Sequence, residues 1–289
     1  MPPLHQSVIL PGRANRLPIP VAAEKIESRT KWGFLEVPDS IKGLGIPAAA
    51  ATGTILYAYF APEGGAELYL SGLAPFRALS EDLLGYFQRF AASFLFLGLL
   101  PFLSFIVLRP GRAGFKGTAR QVGLCRPSEK LFSQPYFAVI LTVSILMGAL
   151  GAFDPGLSSF YPYSKALTVH SANKISFLLH ALCYLVFYYI PWELLFRGIL
   201  LLGLLPLFFG EDWSRNPWKL SVLVFASLQS IPSALLHFGH PLSESLSAVL
   251  FGIVSAGLTL HYKSIWPAFI VHGCTGLALD AAIVLRTML

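Results

Sequence analysis

The sequence has 289 residues, of which 55% are hydrophobic and only 12% are charged, and its formal net charge is +6. A soluble globular chain carries roughly 25% charged residues. The low charged fraction and the mean hydropathy of +0.64 therefore exclude an ordinary soluble domain. Three scattered cysteines without CxxC spacing indicate neither a disulfide framework nor a thiolate metal site.

The first 45 residues are polar, and they carry six cations but no apolar h-region. We expect them to form an N-terminal extension rather than a cleaved signal peptide. The remaining residues, 46–289, are expected to form a membrane domain, because several of their apolar stretches approach the roughly 20 residues that cross hydrocarbon as a helix. These stretches are residues 46–61, 90–108, 136–153, 175–209, 220–239, 245–260 and 264–285.

The predicted fold class is therefore all-α, a polytopic transmembrane bundle of about seven to eight helices. The count depends on the fourth stretch, because a helix over residues 175–209 would be about 50 Å long in a hydrocarbon layer of about 30 Å. This helix must tilt, kink or split, and Pro191 and Pro206 are the expected places.

The cations are distributed unevenly between the predicted loops. With seven crossings and a cytoplasmic N-terminus, fifteen Lys and Arg residues lie inside and five lie outside. This asymmetry is typical of inner-type membranes. It predicts a multi-pass protein of the plasma (inner) membrane with its C-terminus outside, and it explains the basic charge without nucleic acid as a partner.

Only one Lys or Arg side chain lies deep within an apolar stretch. This is Arg197, and Glu193 precedes it by four residues in WELLFRG. Residues four apart share a helix face and can pair. Because a central Arg or Glu costs about 2.5 to 3.5 kcal/mol on insertion, the pair is either functional or a structural ion pair that fixes helix packing.

Two later segments carry further titratable groups. SIPSALLHFGHPLSES places His237, His240 and Glu244 at the end of the fifth span and in the following turn, and SIWPAFIVHGCTGLALD places His272 and Asp280 in the last span. Packing roles for the two span histidines and a solvated turn for His240 and Glu244 are the alternatives. Convergence of the three segments is what an active site requires.

These residue types favour hydrolysis by an activated water. Glu and His can act as general bases, while a second His can donate a hydrogen bond to the oxyanion of a peptide carbonyl. The sequence lacks GxSxG, so a serine nucleophile is not indicated. A zinc site from His237, His240, His272 and Glu193 is an alternative by ligand type. HExxH is absent, however, and we favour chemistry without a metal or another cofactor.

In their order and membrane setting, the segments WELLFRG, SALLH and HGCTG resemble the motifs EExxxR, FxxxH and HxxxN or HxxxD. These motifs are typical of the CAAX prenyl protease and bacteriocin-processing (CPBP, or Abi) family of intramembrane proteases. The resemblance covers about residues 175–285. The sequence departs from the family pattern at Trp192, Ser233 and Gly276, and WExxFRG in place of EExxxRG indicates a divergent branch.

The resemblance implies a CAAX-protease-like, glutamic-type endopeptidase, a class formerly described as metalloproteases. It acts on a peptide or protein substrate at the lipid bilayer. In this interpretation Glu193 is the base that acts with His237, His272 supports the oxyanion, and Arg197 orients Glu193. Three further side chains are expected to support them: Glu244, Asp280 and His240.

Two other classes of protein remain open at this stage. One is a non-catalytic membrane scaffold or immunity-type relative on the same fold, and the other is a transporter that uses the intramembrane Glu, Arg and His set. Transporters often show internal repeats, and the sequence has none. The protease prediction also needs a geometric condition, because straight helices would leave His237 and His272 about 14 Å apart along the membrane normal.

Overall fold

The computed structural model describes residues 39–61, 72–73, 79–108, 114–168, 174–210 and 212–289. Residues 1–38 of the predicted polar extension, residues 1–45, lie outside the described residues. Residues 39–45 begin the first helix. Throughout the described ranges the regular structure is helical, without a strand. The all-α prediction is therefore confirmed.

Seven long helices account for the seven predicted apolar stretches. Five of them are long and apolar enough to cross a membrane, and the other two, Pro135–Gly151 and Leu220–Leu235, are shorter apolar helices. The chain is an integral membrane protein built as a helical bundle. The helices are α1 (Asp39–Phe60), α2 (Glu81–Leu108), α3 (Pro135–Gly151), α4 (Ile175–Phe209), α5 (Leu220–Leu235), α6 (Leu242–Tyr262) and α7 (Trp266–Met288).

Short elements connect the long helices. The α-helical ones are Phe115–Gln121 before α3 and Pro155–Phe160 and Lys165–Thr168 before α4. Single turns of 3₁₀ helix cover Leu131–Ser133 and Asp212–Ser214. Asp154 caps Pro155–Phe160, because its Oδ1 accepts hydrogen bonds from the backbone N–H groups of Gly156 and Leu157.

Helix α4 does not split at Pro191, so the seven-helix count holds. Two wide π-helical segments, Leu185–Tyr189 and Leu194–Gly203, flank the α-helical turn Ile190–Glu193. Proline clashes with the carbonyl four residues earlier, and that residue, Phe187, lies in the first π segment. The wider turn accommodates the proline without a break. The second expected site, Pro206, follows a turn at Leu204.

Helix α4 is also the centre of the bundle. In its most apolar 18-residue window 72% of the residues are buried. The corresponding fraction is 22% to 33% in the other four helices that are long and apolar enough to cross a membrane. The outer helices expose large apolar side chains, for example Val139, Val143 and Met147 on α3, as expected of a surface that faces lipid. On its other side α3 approaches α7 so closely that a Cβ at Gly148 would overlap the Thr275 carbonyl oxygen.

Candidate active site

The predicted Glu193–Arg197 pair lies in the buried middle of α4. Glu193 is 0% exposed and Arg197 is 1% exposed. Arg197 Nε lies 3.4 Å from Glu193 Oε2. The other carboxylate oxygen, Oε1, accepts a hydrogen bond of 2.7 Å from His272 Nδ1 on α7. The structure therefore joins three of the predicted site residues directly.

A second polar cluster surrounds Glu244 in the first turn of α6. His240 Nδ1 lies 3.1 Å from Glu244 Oε2, and His237 Nε2 lies 3.7 Å from Glu244 Oε1. The Tyr161 hydroxyl donates a hydrogen bond of 2.6 Å to the same Oε1. The two histidines predicted at the end of the fifth span therefore share the carboxylate of Glu244, and Tyr161 of the loop before α4 joins them.

The turn that carries His237 is held from both sides. His237 Nδ1 lies 2.9 Å from the Ser233 carbonyl oxygen, which can only accept, so the ring donates from Nδ1. The Ser245 hydroxyl donates to the His237 carbonyl oxygen at 2.8 Å. Two contacts therefore fix the position and the rotation of this imidazole.

Trp192 lies between the two clusters, at the midpoint of α4. Its ring centroid is 5.4 Å from that of His237 and 6.3 Å from that of His272. The expected separation of about 14 Å assumed a straight α5, but α5 is interrupted at Gln229 and ends at Leu235. Pro232, which removes a helical hydrogen bond, follows the interruption by three residues. His237 consequently lies in a turn against α4 rather than at the far end of a full span.

Both clusters contact Trp192, one through His237 and the other through His272. Among the described residues no hydrogen bond or ion pair joins Glu193 to His237. The base and histidine that the sequence predicts to act together therefore have different partners, His272 and Arg197 for Glu193, and Ser233 and Glu244 for His237. Their catalytic roles stay predictions.

Tyr189 explains one departure from the family pattern. A Cβ built on Gly276 would overlap the Tyr189 hydroxyl oxygen. The tyrosine ring also packs on His272, with centroids 4.5 Å apart. A side chain from α4 thus occupies the space that an Asn or Asp at position 276 would need. Sequence analysis missed Tyr189, because nothing in helical spacing indicates a contact between two different helices.

Asp280 belongs to a third buried contact, away from Glu193 and His237. Its Oδ2 lies 2.9 Å from His180 Nε2, and the Tyr86 hydroxyl lies 3.1 Å from His180 Nδ1. All three side chains are buried. This chain of contacts links α2, α4 and α7. Asp280 was expected to support the site, whereas its observed partner is His180.

The four side chains considered as zinc ligands are divided between the two carboxylates. His272 is bound to Glu193, whereas His237 and His240 face Glu244. Within the described ranges no group of three or more His, Cys, Asp or Glu side chains is arranged to hold a metal ion. The donor set therefore does not fit a zinc cage.

Comparison with known proteins gives one match. Residues 174–278 match the family described as Type II CAAX prenyl endopeptidase Rce1-like. No curated protein and no solved structure matches the chain significantly. The matched segment runs from the start of α4 to the middle of α7, and it contains both carboxylates and all three histidines of the two clusters around Trp192. Over this segment the chain is similar to the CAAX protease (CPBP) family, and the match supports an assignment to that family.

Proposed function

We propose that this protein is an intramembrane endopeptidase that hydrolyses a peptide bond near or within the membrane by means of an activated water. The observation that carries the proposal is the convergence on Trp192: His237 and His272 both contact its ring, and Glu193 binds His272. The family match at residues 174–278 supports a CAAX protease-type activity. The peptide substrate then reaches the site from the bilayer or from its surface.

His237 is the residue suited to take a proton from water. Because its Nδ1–H donates to the Ser233 carbonyl oxygen, the neutral ring carries its free lone pair on Nε2. In the proposed step an O–H bond of water breaks, its proton passes to Nε2, and the water oxygen bonds to the peptide carbonyl carbon. The tetrahedral intermediate then collapses, the C–N bond breaks, and the imidazolium returns the proton to the leaving amine.

His272 is suited to stabilise the oxyanion of that intermediate. Glu193 accepts from its Nδ1 and fixes the rotation of the ring, and in the imidazolium form Nε2–H is the remaining donor. In the sequence-based prediction Glu193 was the base beside His237. Its contacts with His272 and Arg197 favour different roles, in which Glu193 orients His272 and Arg197 holds Glu193 in place.

The test is cleavage by the purified full-length chain in proteoliposomes. Its targets are a panel of membrane-anchored reporter peptides, with and without a prenylated C-terminal cysteine. In water enriched in ¹⁸O we expect one labelled oxygen in the new carboxyl group of the product. His237→Ala, His272→Ala and Glu193→Gln should each lower cleavage by about 10² to 10⁴-fold, the usual contribution of acid–base catalysis.

The control is Glu129→Gln, which removes another carboxylate that lies near a histidine, 3.5 Å from His261 Nε2. It should cleave like the wild type. If the folded wild-type chain cleaves no peptide of the panel, or if the three site variants cleave at the wild-type rate, the protease proposal is wrong. A non-catalytic scaffold on the same fold would then be favoured.

A further inference from the structure

Glu244 is a carboxylate of the site to which the proposed reaction assigns no role. Its side chain is 16% exposed, and it lies in the first turn of α6, directly after the turn that carries His237 and His240. Its Oε1 accepts from the Tyr161 hydroxyl and faces His237, while its Oε2 faces His240. Three side chains from two segments of the chain thus surround one carboxylate.

Two hydrogen bonds to backbone carbonyl oxygens hold His237 and Glu244 next to each other. Ser233 fixes the rotation of the imidazole by accepting from Nδ1, and this rotation turns Nε2 toward Glu244 Oε1 at 3.7 Å. Ser245, the next residue after Glu244, donates to the His237 carbonyl oxygen at 2.8 Å. The first turn of α6 and the turn of His237 are therefore tied together, and the carboxylate stays beside the ring.

We propose that Glu244 is the charge partner of His237 during peptide hydrolysis, a positioning residue that stabilises the imidazolium formed when Nε2 takes the proton of water. This inference rests on the protease function proposed above. No co-reactant besides water and the peptide is needed, because the proton returns to the leaving amine. Glu244 remains ionised throughout, and Tyr161 holds its Oε1 in place.

Two other titratable groups face His237 and have to be weighed against Glu244. His240 lies beside it, with ring centroids 5.3 Å apart, and His272 contacts the same Trp192 ring as His237. Both are cationic when protonated and therefore disfavour a second positive charge on His237. Glu244 is the group among the three that favours the imidazolium, and its two oxygens divide between His237 and His240.

The decisive variant is Glu244→Gln, whose amide oxygen can still accept from Tyr161. We expect kcat/KM to fall about 10- to 100-fold, as for a contacting pair that loses its interaction. We also expect the acid limb of the kcat/KM–pH profile to move to lower pH, because the imidazolium loses its negative partner and His237 stays neutral in more acidic solution. A residue with only a structural role would lower the plateau without moving this limb.

Glu129→Gln is again the matched control, since it removes a carboxylate that contacts a histidine about 25 Å away along α6. It should leave both the plateau and the acid limb unchanged. An acid limb in Glu244→Gln that coincides with that of the wild type would overturn the inference. So would a shift of the same size in His240→Gln, because His240 would then be the group through which Glu244 acts.

A second measurement does not depend on cleavage. In ¹⁵N-histidine-labelled protein in detergent, with the His237 signal assigned by His237→Ala, the titration midpoint of His237 should fall in Glu244→Gln and stay constant in Glu129→Gln. An unchanged midpoint would refute the pairing even if the protein is a protease. Conversely, a lowered midpoint in a chain that cleaves no peptide would support the pairing while the protease proposal fails.

Discussion

At the scale of single residues, Glu193 and Arg197 are charges without access to water. Their exposed fractions are 0% and 1%, and the 3.4 Å ion pair together with His272 compensates Glu193. Breaking a buried pair by removing one partner costs about 3 to 5 kcal/mol, because the other charge is left uncompensated. We therefore predict that Glu193→Gln lowers the thermal unfolding midpoint of the detergent-solubilised protein strongly.

The double variant Glu193→Gln/Arg197→Met tests the cause of that loss. It removes both charges, so it should recover most of the lost stability while cleavage stays abolished. Glu129 is a carboxylate with an exposed side chain. Glu129→Gln should therefore change the free energy of unfolding by less than about 0.5 kcal/mol. If the double variant is as unstable as the sum of its single variants, the two side chains are not coupled.

At the scale of elements, α4 and α7 meet at Tyr189 and Gly276. A Cβ on Gly276 would overlap the tyrosine hydroxyl, so Gly276→Ala should destabilise the protein by about 1 to 3 kcal/mol, the usual cost of overpacking. It should also shift Tyr189 against His272 and reduce cleavage. Thermal unfolding and kcat are the measurements, and Tyr189→Phe in the same chain should relieve part of the clash.

Gly257 on α6 provides the matched glycine. A Cβ there would meet no atom within 4 Å. Gly257→Ala should consequently be neutral or stabilising, since alanine favours a helix by up to about 1 kcal/mol over glycine. Equal effects of the two substitutions would contradict the assigned contact between Tyr189 and position 276.

The loop between α3 and α4 gives a prediction on pH. The pKa of Asp154 is lowered from its ordinary value of 3.8, first by the hydrogen bond from Ser243 and then by the backbone N–H groups of Leu157 and Gly156. A carboxyl group with a lowered folded-state pKa stabilises the fold above its unfolded pKa, and this contribution is lost as pH falls through the folded value. The wild type should therefore exceed Asp154→Ala in unfolding midpoint at neutral pH, and the difference should shrink as the pH falls below 3.8, the ordinary pKa of the group.

Ser243→Ala removes the largest cause of that shift and leaves the two backbone donors in place. Its unfolding midpoint should lie between those of the wild type and Asp154→Ala at neutral pH. A difference between wild type and Asp154→Ala that persists unchanged at low pH would show that the cap acts without the charge.

For the whole molecule, the sequence predicts those structural features that depend on a single helix. Apolar length located all seven helices, and spacing within α4 paired Glu193 with Arg197. Contacts between helices depend on tilt, register and interruptions, which no local pattern encodes. The partners of Asp280, the role of Tyr189 and the division of the site by Trp192 could therefore not be predicted. For Glu244 the alternatives were a functional role and a solvated turn, and its contact with His237 was not predicted.

The orientation of the bundle in the membrane is predicted from the distribution of cations over the whole chain. Fifteen cations inside against five outside require the loop before α3 to be cytoplasmic and the loop after it to be external. Helix α3 has 17 residues, about 25 Å of helix against about 30 Å of hydrocarbon, and with α5 it is one of the two shorter apolar helices of the bundle. Single cysteines at the exposed positions Lys130 and Ser159 can report the two sides of α3 in a chain whose three native cysteines are replaced.

In intact cells a membrane-impermeant maleimide should label Ser159→Cys at once, and it should label Lys130→Cys only after permeabilisation. The opposite pattern would place the N-terminus outside and contradict the charge argument. Labelling of both positions from one side would show that α3 does not cross. The labelling also bears on the site, because Tyr161 reaches Glu244 from the loop that contains Ser159. An external loop after α3 therefore predicts that a peptide approaching Glu244 and His237 enters from the external side.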